Sequence, residues 1–541
     1  MNVKTLLIGI NAKYIHPNLA IRLLKKNTTY PVTIREYTIK DSVSKIVEDI
    51  LRFDGDVIAF SCYIWNIEQI KEILIQLKPR HKTIVLGGPE VSYNAAFYLS
   101  NQLASFVIKN EGEEAFHQLL LYLDGKTELQ NVPNLYHPMG FTFDQTVDLS
   151  TIQPAYDLLD DVSHKVIYIE TSRGCPYQCG YCMASLEQTV RFFELEPIKD
   201  QLRTLIQKGA KTFKFLDRTF NIGRKRWMDL IDFIGSMAQE GLSFQFEITG
   251  DLLDDDQIDY IHQVVPKHLI RFEIGIQSTN LKSNLSVGRI QNNEKLFNNI
   301  RKIVSKDVID LHLDLIAGLP YEDYVSFEKT FNDVIVLKPK ELQLGFLKLL
   351  YGTALYNRAS DYHYRFQSVA PYEIISNDFL NEQEIKEIHD VEEALEVYYN
   401  SGRFFRSIRF IIDQEESPFA FFNSLGKKMK RQSLEQTFQI LDELIRMKPY
   451  YEEVHTLLIE DYLYLFKVKP KAWWSHRLDP KKRNAYLRLL STQRRMDVPL
   501  QDLYKYSLLV ELNRVFIVAI YRPEKRQIEK ILKPDENSFI C

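Results

Sequence analysis

Over the first 135 residues, apolar runs at 5–11, 32–39, 56–62, 83–87 and 105–109 alternate with stretches at 19–26, 42–53, 66–77 and 113–123 of helical spacing. The runs predict strands buried on both faces, and the stretches predict amphipathic helices. Their alternation predicts a doubly wound parallel sheet. From about residue 165 a second series begins, with strand-like segments at 165–170, 212–216, 244–250, 269–277, 309–316 and 341–347. Helical segments at 197–208, 226–240, 255–264 and 294–306 lie between them. Six such units fall short of the eight that close a barrel, so a partial, open (β/α)6 barrel is expected. Further on, helical stretches at 385–401, 434–447, 451–466 and 482–490 dominate. The fold class is therefore α/β, in four parts: an N-terminal doubly wound sheet at 1–135, a linker at 136–160, a central partial barrel at 161–355 and a mainly helical C-terminal domain at 356–541.

Composition narrows this picture. A chain of 541 residues is too long for one core. The net charge of −4 excludes a global polyanion-binding surface. Residues 425–541 are locally basic, with 23 Lys/Arg against 15 Asp/Glu, including the short runs at 427–431 and 481–483. Such runs are ordinarily solvated faces; nucleic-acid binding is the alternative reading. Trp473-Trp474 is either a substrate lid or ordinary core. The apolar run at 3–10 is too short to span a membrane and lacks a cleavage pattern, and no stretch is long enough for a membrane helix. With few cysteines as well, a cytoplasmic protein with no membrane partner is expected.

Three of the five cysteines lie in one run, Cys175-Pro176-Tyr177-Gln178-Cys179-Gly180-Tyr181-Cys182. Cys62 and Cys541 are isolated, which argues against disulfides. A zinc site normally completes itself with a nearby Cys or His, yet the next candidate, His262, is 80 residues past Cys182. An iron–sulfur cube normally takes four thiolates. Three on one loop leave one iron open to a small molecule. In the first sheet, ligands are expected at the carboxyl ends of the strands, hence at 11–17, 61–65, 87–92 and 110–113.

Two resemblances follow from these motifs. Gly87-Gly88-Pro89-Glu90 together with Asn110-Glu111-Gly112-Glu113 resembles the flavodoxin-like cobalamin-binding domain that precedes many radical enzymes. The resemblance implies cofactor contacts from Asn11, Ser61, Tyr63, Gly87, Gly88, Pro89, Glu90, Glu111, Gly112 and Glu113. The Asp-x-His-x-x-Gly motif that gives cobalt an axial histidine is absent, and His16 stands in a different setting. A base-off cobalamin without a histidine ligand is therefore expected.

The cysteine loop, followed in register by Glu273-Ile274-Gly275-Ile276-Gln277-Ser278 and by the segment from Leu313 to Pro320, resembles radical S-adenosylmethionine (SAM) enzymes. In that family Cys175, Cys179 and Cys182 would hold a 4Fe-4S cluster, and its open iron would bind SAM. Reductive cleavage would then give a 5′-deoxyadenosyl radical. Tyr181 would lie near the adenine. Gln277 and Ser278 would contact SAM, and Glu273 would do so unless it pairs with Arg271 or Lys214. Ile316 is adenine shelf or barrel core. Asp217 precedes Arg218 where relatives carry a second acid, so the pair faces either itself or substrate; Glu247 faces the SAM amino group or substrate. The C-terminal region is similar to an extension of unknown function in one cobalamin-binding subgroup. The implied function is methyl transfer to an unactivated carbon of a small-molecule or peptide substrate, with flavodoxin or ferredoxin as reductant. Three alternatives stand beside it: an oxidoreductase cyclising tetrapyrrole-like substrates, a tRNA-modifying enzyme and a non-catalytic cobalamin sensor.

Overall fold

The computed structural model describes residues 3–532 apart from 81, 157–160, 430, 475–477, 493–497, 513–514 and 523–525. Lys430 and Cys541 thus lie outside the described residues, as does part of the expected linker. The chain divides into two compact units, 1–326 with 344–382 and 327–343 with 383–541.

The first unit opens with strands β1 (Thr5–Asn11), β2 (Val32–Thr38), β3 (Val57–Ser61), β4 (Thr83–Gly87) and β5 (Phe106–Ile108). They pair in parallel in the order β2-β1-β3-β4-β5. Every residue of β1 and β3 is buried, because helices cover both faces. Asn18 starts the helix Leu19–Lys26 by accepting a bond from the Ile21 amide. The sheet does not stop at residue 135. β6 (Leu135–His137) and β7 (Gly140–Phe141) add antiparallel at its edge, inside the expected linker. Asn134 turns the chain there, taking φ 55° and bonding the Gln145 carbonyl.

The second sheet begins with β8 (Val166–Ile169). Two short antiparallel strands follow, β9 (Ser172–Arg173) and β10 (Arg191–Phe192), and between them lies the cysteine loop. Then come β11 (Thr212–Phe215), β12 (Ser243–Ile248), β13 (Ile270–Gln277), β14 (Asp310–Ala317) and β15 (Glu341–Phe346). The sheet order is β15-β14-β13-β12-β11-β8, with β8 through β14 parallel. This is the open six-stranded arrangement expected. Burial alternates along its strands: in β13 Ile270, Phe272, Ile274 and Ile276 are buried while the residues between them are half-buried. One face carries stacked aromatics such as Phe213, Phe244, Phe215 and Phe246. The opposite face is polar.

The first compact unit takes in residues 344–382, running on past the barrel strands. β16 (Arg365–Phe366) and β17 (Ile374–Ser376) form a hairpin that returns to the first unit. There Ile374 bonds the Leu347 carbonyl, and the Tyr364 hydroxyl donates to Gly318.

In the second unit, helices Phe405–Gln414, Leu434–Ile445 and Tyr451–Leu465 form most of the layered core. Buried Asp461 accepts the Ser407 amide at the start of the first of these. The region is not helical throughout. β18 (Ser507–Glu511), β19 (Val515–Tyr521) and β20 (Arg526–Leu532) make an antiparallel sheet. The unbroken apolar run of β19 was its signal. Trp473 and Trp474 meet Tyr462 edge-on and are half-buried against a core cluster, the packing reading of the pair. Lys427 pairs with Glu387 and Lys482 with Glu511, as solvated faces do.

Candidate functional site

The cysteine loop is held from three sides. The Cys175 amide bonds the Glu187 carbonyl at 2.9 Å, and the Cys182 amide bonds Cys179 at 2.9 Å. Gly174 has φ 89°, and a side chain there would strike the Thr189 carbonyl, so only glycine fits the entry to the loop. Gly180 donates to Val287 at 2.7 Å and accepts from Leu355 at 2.8 Å. Cys175 and Cys179 are buried and Cys182 is half-buried, with burial pushing the Cys182 thiol up. Among the described residues no three His, Cys, Asp or Glu side chains, the three thiols included, are gathered closely enough to hold a single metal ion. A donor set of three thiols alone suits an iron–sulfur cluster with one iron left to another ligand.

Asp217 and Glu273 both have protein partners. Buried Asp217 accepts the Thr171 amide at 2.9 Å and the Ser172 hydroxyl at 2.6 Å, so it ties the strand that leads into the cysteines. Burial raises its carboxyl above the usual range despite these bonds. Arg218 does not pair with Asp217; it lies 3.8 Å from Glu247 across the inner face. Glu273 pairs with Lys214 at 3.0 Å, the structural alternative named for it. Burial opposes ionisation of Glu273, yet Lys214 and His312 hold its carboxyl below the ordinary value. Ser278 donates to Glu322 at 2.5 Å and accepts from the Asn280 amide, so its hydroxyl is engaged. Gln277 differs. It sits at a bulge where the β13–β14 register shifts, with φ 67°, and its buried side-chain oxygen has no partner. A buried, unpaired amide oxygen calls for a donor, which the amino group of SAM would provide. Ile316 is half-buried on the same face of β14 as Asp314.

The inner wall of the barrel also holds residues the sequence reading passed over: Gln245, His312 and Asp314. His312 bonds Arg271 on one ring nitrogen and lies 2.9 Å from Asp314 on the other. Period-two alternation in the strands was their signal. Arg289, also missed, reaches Cys179 and Tyr181.

In the first sheet several of the expected cofactor contacts have partners within the protein. Asn11 donates to Glu36 at 2.9 Å, and Ser61 accepts from Asn18 at 2.8 Å. Buried Glu90 takes the Tyr372 hydroxyl, and burial lifts its carboxyl. Gly88 has φ 116°, and a side chain would meet the Cys62 carbonyl at 2.4 Å, so the close approach there is internal. Gly87 accepts the Cys62 amide, Pro89 opens the turn Pro89–Ser92, and Gly112 precedes the helix Glu113–Leu123 against Leu24.

Glu111 and Glu113 bind Arg173, two residues before Cys175, at 2.9 and 2.6 Å; Arg191 joins Glu111 at 2.7 Å. These ion pairs tie the first sheet to the cysteine loop. The strand ends nonetheless leave aromatic surface free. Tyr14 is 70% and Trp65 47% exposed, and Tyr63 stacks on Trp65 at 4.4 Å. His16 is bonded to the Tyr168 hydroxyl at 2.7 Å. A cavity of about 140 Å³ beside β8, lined by Leu23, Gln153, Tyr168 and Glu170, includes none of the cysteines and is far too small for a corrin.

Comparison with known proteins agrees with this layout. Residues 5–120 match the B12 binding domain, 169–334 the radical SAM superfamily, and 360–522 a protein family of unknown function (DUF4080). The 2-(S-pantetheinyl)-carbapenam-3-carboxylate methyltransferase of Streptantibioticus cattleyicolor is 22% identical over 367 residues, covering 61% of this chain and 53% of that one. The chain spans about half the length of the curated relatives it matches. Two solved structures share the fold. The cobalamin-dependent SAM radical enzyme OxsB superposes with TM-score 0.57 at 15% identity over 85% of this chain and 79% of that one. The radical SAM methyltransferase TsrM of Kitasatospora setae, bound to tryptophan and a SAM analogue, gives 0.55 at 14% over 71% and 81%. B12-binding, radical SAM superfamily and DUF4080 matches thus follow one another along this one chain, in the order of its two sheets and its C-terminal region.

Proposed function

We propose that this protein is a cobalamin-dependent radical SAM methyltransferase acting on a polar small molecule or peptide. The observation that carries the reading is the three-thiol loop beside a buried, unpartnered Gln277 oxygen. A bound 4Fe-4S cluster would supply the electron for cleaving SAM to a 5′-deoxyadenosyl radical, and bound cobalamin would supply methyl-carrying chemistry toward a substrate carbon. Cys175, Cys179 and Cys182 hold the iron, and Gln277 accepts from the SAM amino group. Tyr181 flanks the adenine and Ile316 forms its apolar shelf. Glu247, raised by burial and only loosely met by Arg218, faces the substrate and can accept its donors.

A wall of Lys214, Gln245, Glu273, His312 and Asp314 favours a substrate rich in polar groups over a lipid. Tryptophan and a carbapenam carboxylate are the corresponding ligands named for two of the similar proteins. The corrin would lie over Tyr14, Tyr63 and Trp65 at the crevice between β1 and β3. The absence of an Asp-x-His-x-x-Gly motif supports a cobalt with no histidine on its lower face; nitrogen hyperfine splitting in the Co(II) spectrum would contradict this. A low-potential donor such as flavodoxin or ferredoxin supplies the electron, and the cytoplasm suits such chemistry. Among the described residues no helix is long and apolar enough to cross a membrane.

The test is anaerobic reconstitution with iron, sulfide, cobalamin, SAM and reductant, followed by chromatography. The reading expects 5′-deoxyadenosine, and a gain of 14 mass units, one CH2, on the true substrate. A loss of two hydrogens would favour the oxidative cyclase. No 5′-deoxyadenosine after the cluster is reduced would leave a sensor.

A further inference from the structure

The loop after β13 embraces the cysteine loop. Gly288, with φ 69°, packs where a side chain would meet the Gln178 carbonyl at 2.8 Å, and Val287 accepts the Gly180 amide at 2.7 Å. From this loop the half-buried Arg289 guanidinium reaches into the site. One of its terminal nitrogens lies 3.8 Å from Cys179 Sγ and 3.5 Å from the Tyr181 hydroxyl; the other bonds the Gly275 carbonyl. Its Nε donates to Gln291 at 2.9 Å, and Gln291 in turn bonds the Ile276 carbonyl at 3.1 Å. The fork is thus fixed by two anchors on β13, with one nitrogen left for sulfur. Among the described residues no carboxylate forms an ion pair with it.

We propose that Arg289 is a positioning residue that sets the reduction potential of the cluster, by donating an N–H bond and a full positive charge to the Cys179 thiolate. The inference rests on the proposed function, since it requires the cluster. A reduced cluster carries one more negative charge than an oxidised one. A fixed cation and a hydrogen bond at a ligand sulfur stabilise the reduced form more, and so raise the potential. In a partly desolvated site that charge is weakly screened. Arginine suits the task because it stays protonated and its planar fork can be anchored at one nitrogen while another donates.

The experiment is a redox titration of the reconstituted full-length protein, followed by electron paramagnetic resonance without SAM. It compares wild type with Arg289→Gln, Arg289→Met and Arg289→Lys. The expected result is unchanged iron per chain and a potential shifted to more negative values in both neutral variants, with Lys closer to wild type. If the two neutral variants fail to take up iron while Lys takes it up, the charge serves cluster assembly and the tuning of the potential is overturned. A neutral variant with full iron and the wild-type potential overturns it, even where SAM affinity falls. Loss of the cluster in all three variants also overturns it, by reducing Arg289 to a structural support. A wild-type chain that takes up no cluster overturns the proposed function first, and the inference with it.

Discussion

The two parallel sheets of the first unit use the same strand–helix alternation and end with opposite ligand surfaces. β1 and β3 are buried on both faces, so a ligand of the first sheet can meet only strand ends and loops. β12, β13 and β14 bury one face and leave the other lined by Glu247, Glu273, His312 and Asp314. A doubly wound sheet offers a rim; an open barrel offers a wall. A bulky cofactor can lie along the rim without burying charge, whereas the wall can grip a polar substrate beside the cysteine loop.

The sharpest separation of the two regions is Cys179→Ala. Cluster absorbance and bound iron should be lost entirely while corrinoid uptake, followed by its visible spectrum, stays at one per chain. Loss of both would mean that rim and wall do not bind independently. The converse variant is Gly88→Ala, which forces a side chain to within 2.4 Å of the Cys62 carbonyl at φ 116°. It should cost about 2–3 kcal/mol in denaturant melts and weaken corrinoid uptake, with iron per chain preserved in the protein that remains folded. Equal loss of iron would erase the distinction.

Much of this contrast was legible in the chain. Unbroken apolar runs announced the first sheet, and the Cys-x3-Cys-x2-Cys spacing announced the thiol loop. The use each polar residue is put to was not legible. Glu111 and Glu113 sit at strand ends like ligand contacts, yet they bind Arg173 and Arg191, which lie 60 and 80 residues away in sequence. Asp217 likewise caps Thr171 and Ser172. Long-range ion pairs leave no local periodicity. The sheet at 507–532 has one clear trace in the sequence, the apolar run of β19, beside neighbouring segments of helical spacing.

Within the wall, Lys214→Met should leave half-buried Glu273 without its cation, with the Gln245 amide still donating to it. Discounted for its partial exposure, the loss is about 1–2 kcal/mol in denaturant melts. Adding Glu273→Gln should recover most of it, and full additivity of the two losses would deny the pairing. The smallest effect concerns the clamp between the sheets. Burial disfavours ionised Glu111, but Arg191, the Val147 amide and Arg173 outweigh it and hold its carboxyl below 4.5. A depressed pKa adds stability that is complete above the unfolded value and is lost as pH falls through the folded one. Glu111→Gln should therefore lower the melting temperature near neutral pH and flatten its decline below pH 4.5. An unchanged acid limb would show that the clamp contributes nothing.

The most direct measurement is electron paramagnetic resonance of the reduced, anaerobically reconstituted chain before and after SAM is added. The account expects four irons per chain and a cluster signal whose g values shift when SAM binds the iron that no thiol holds. Zinc in place of iron, or a cluster signal indifferent to SAM, would contradict it.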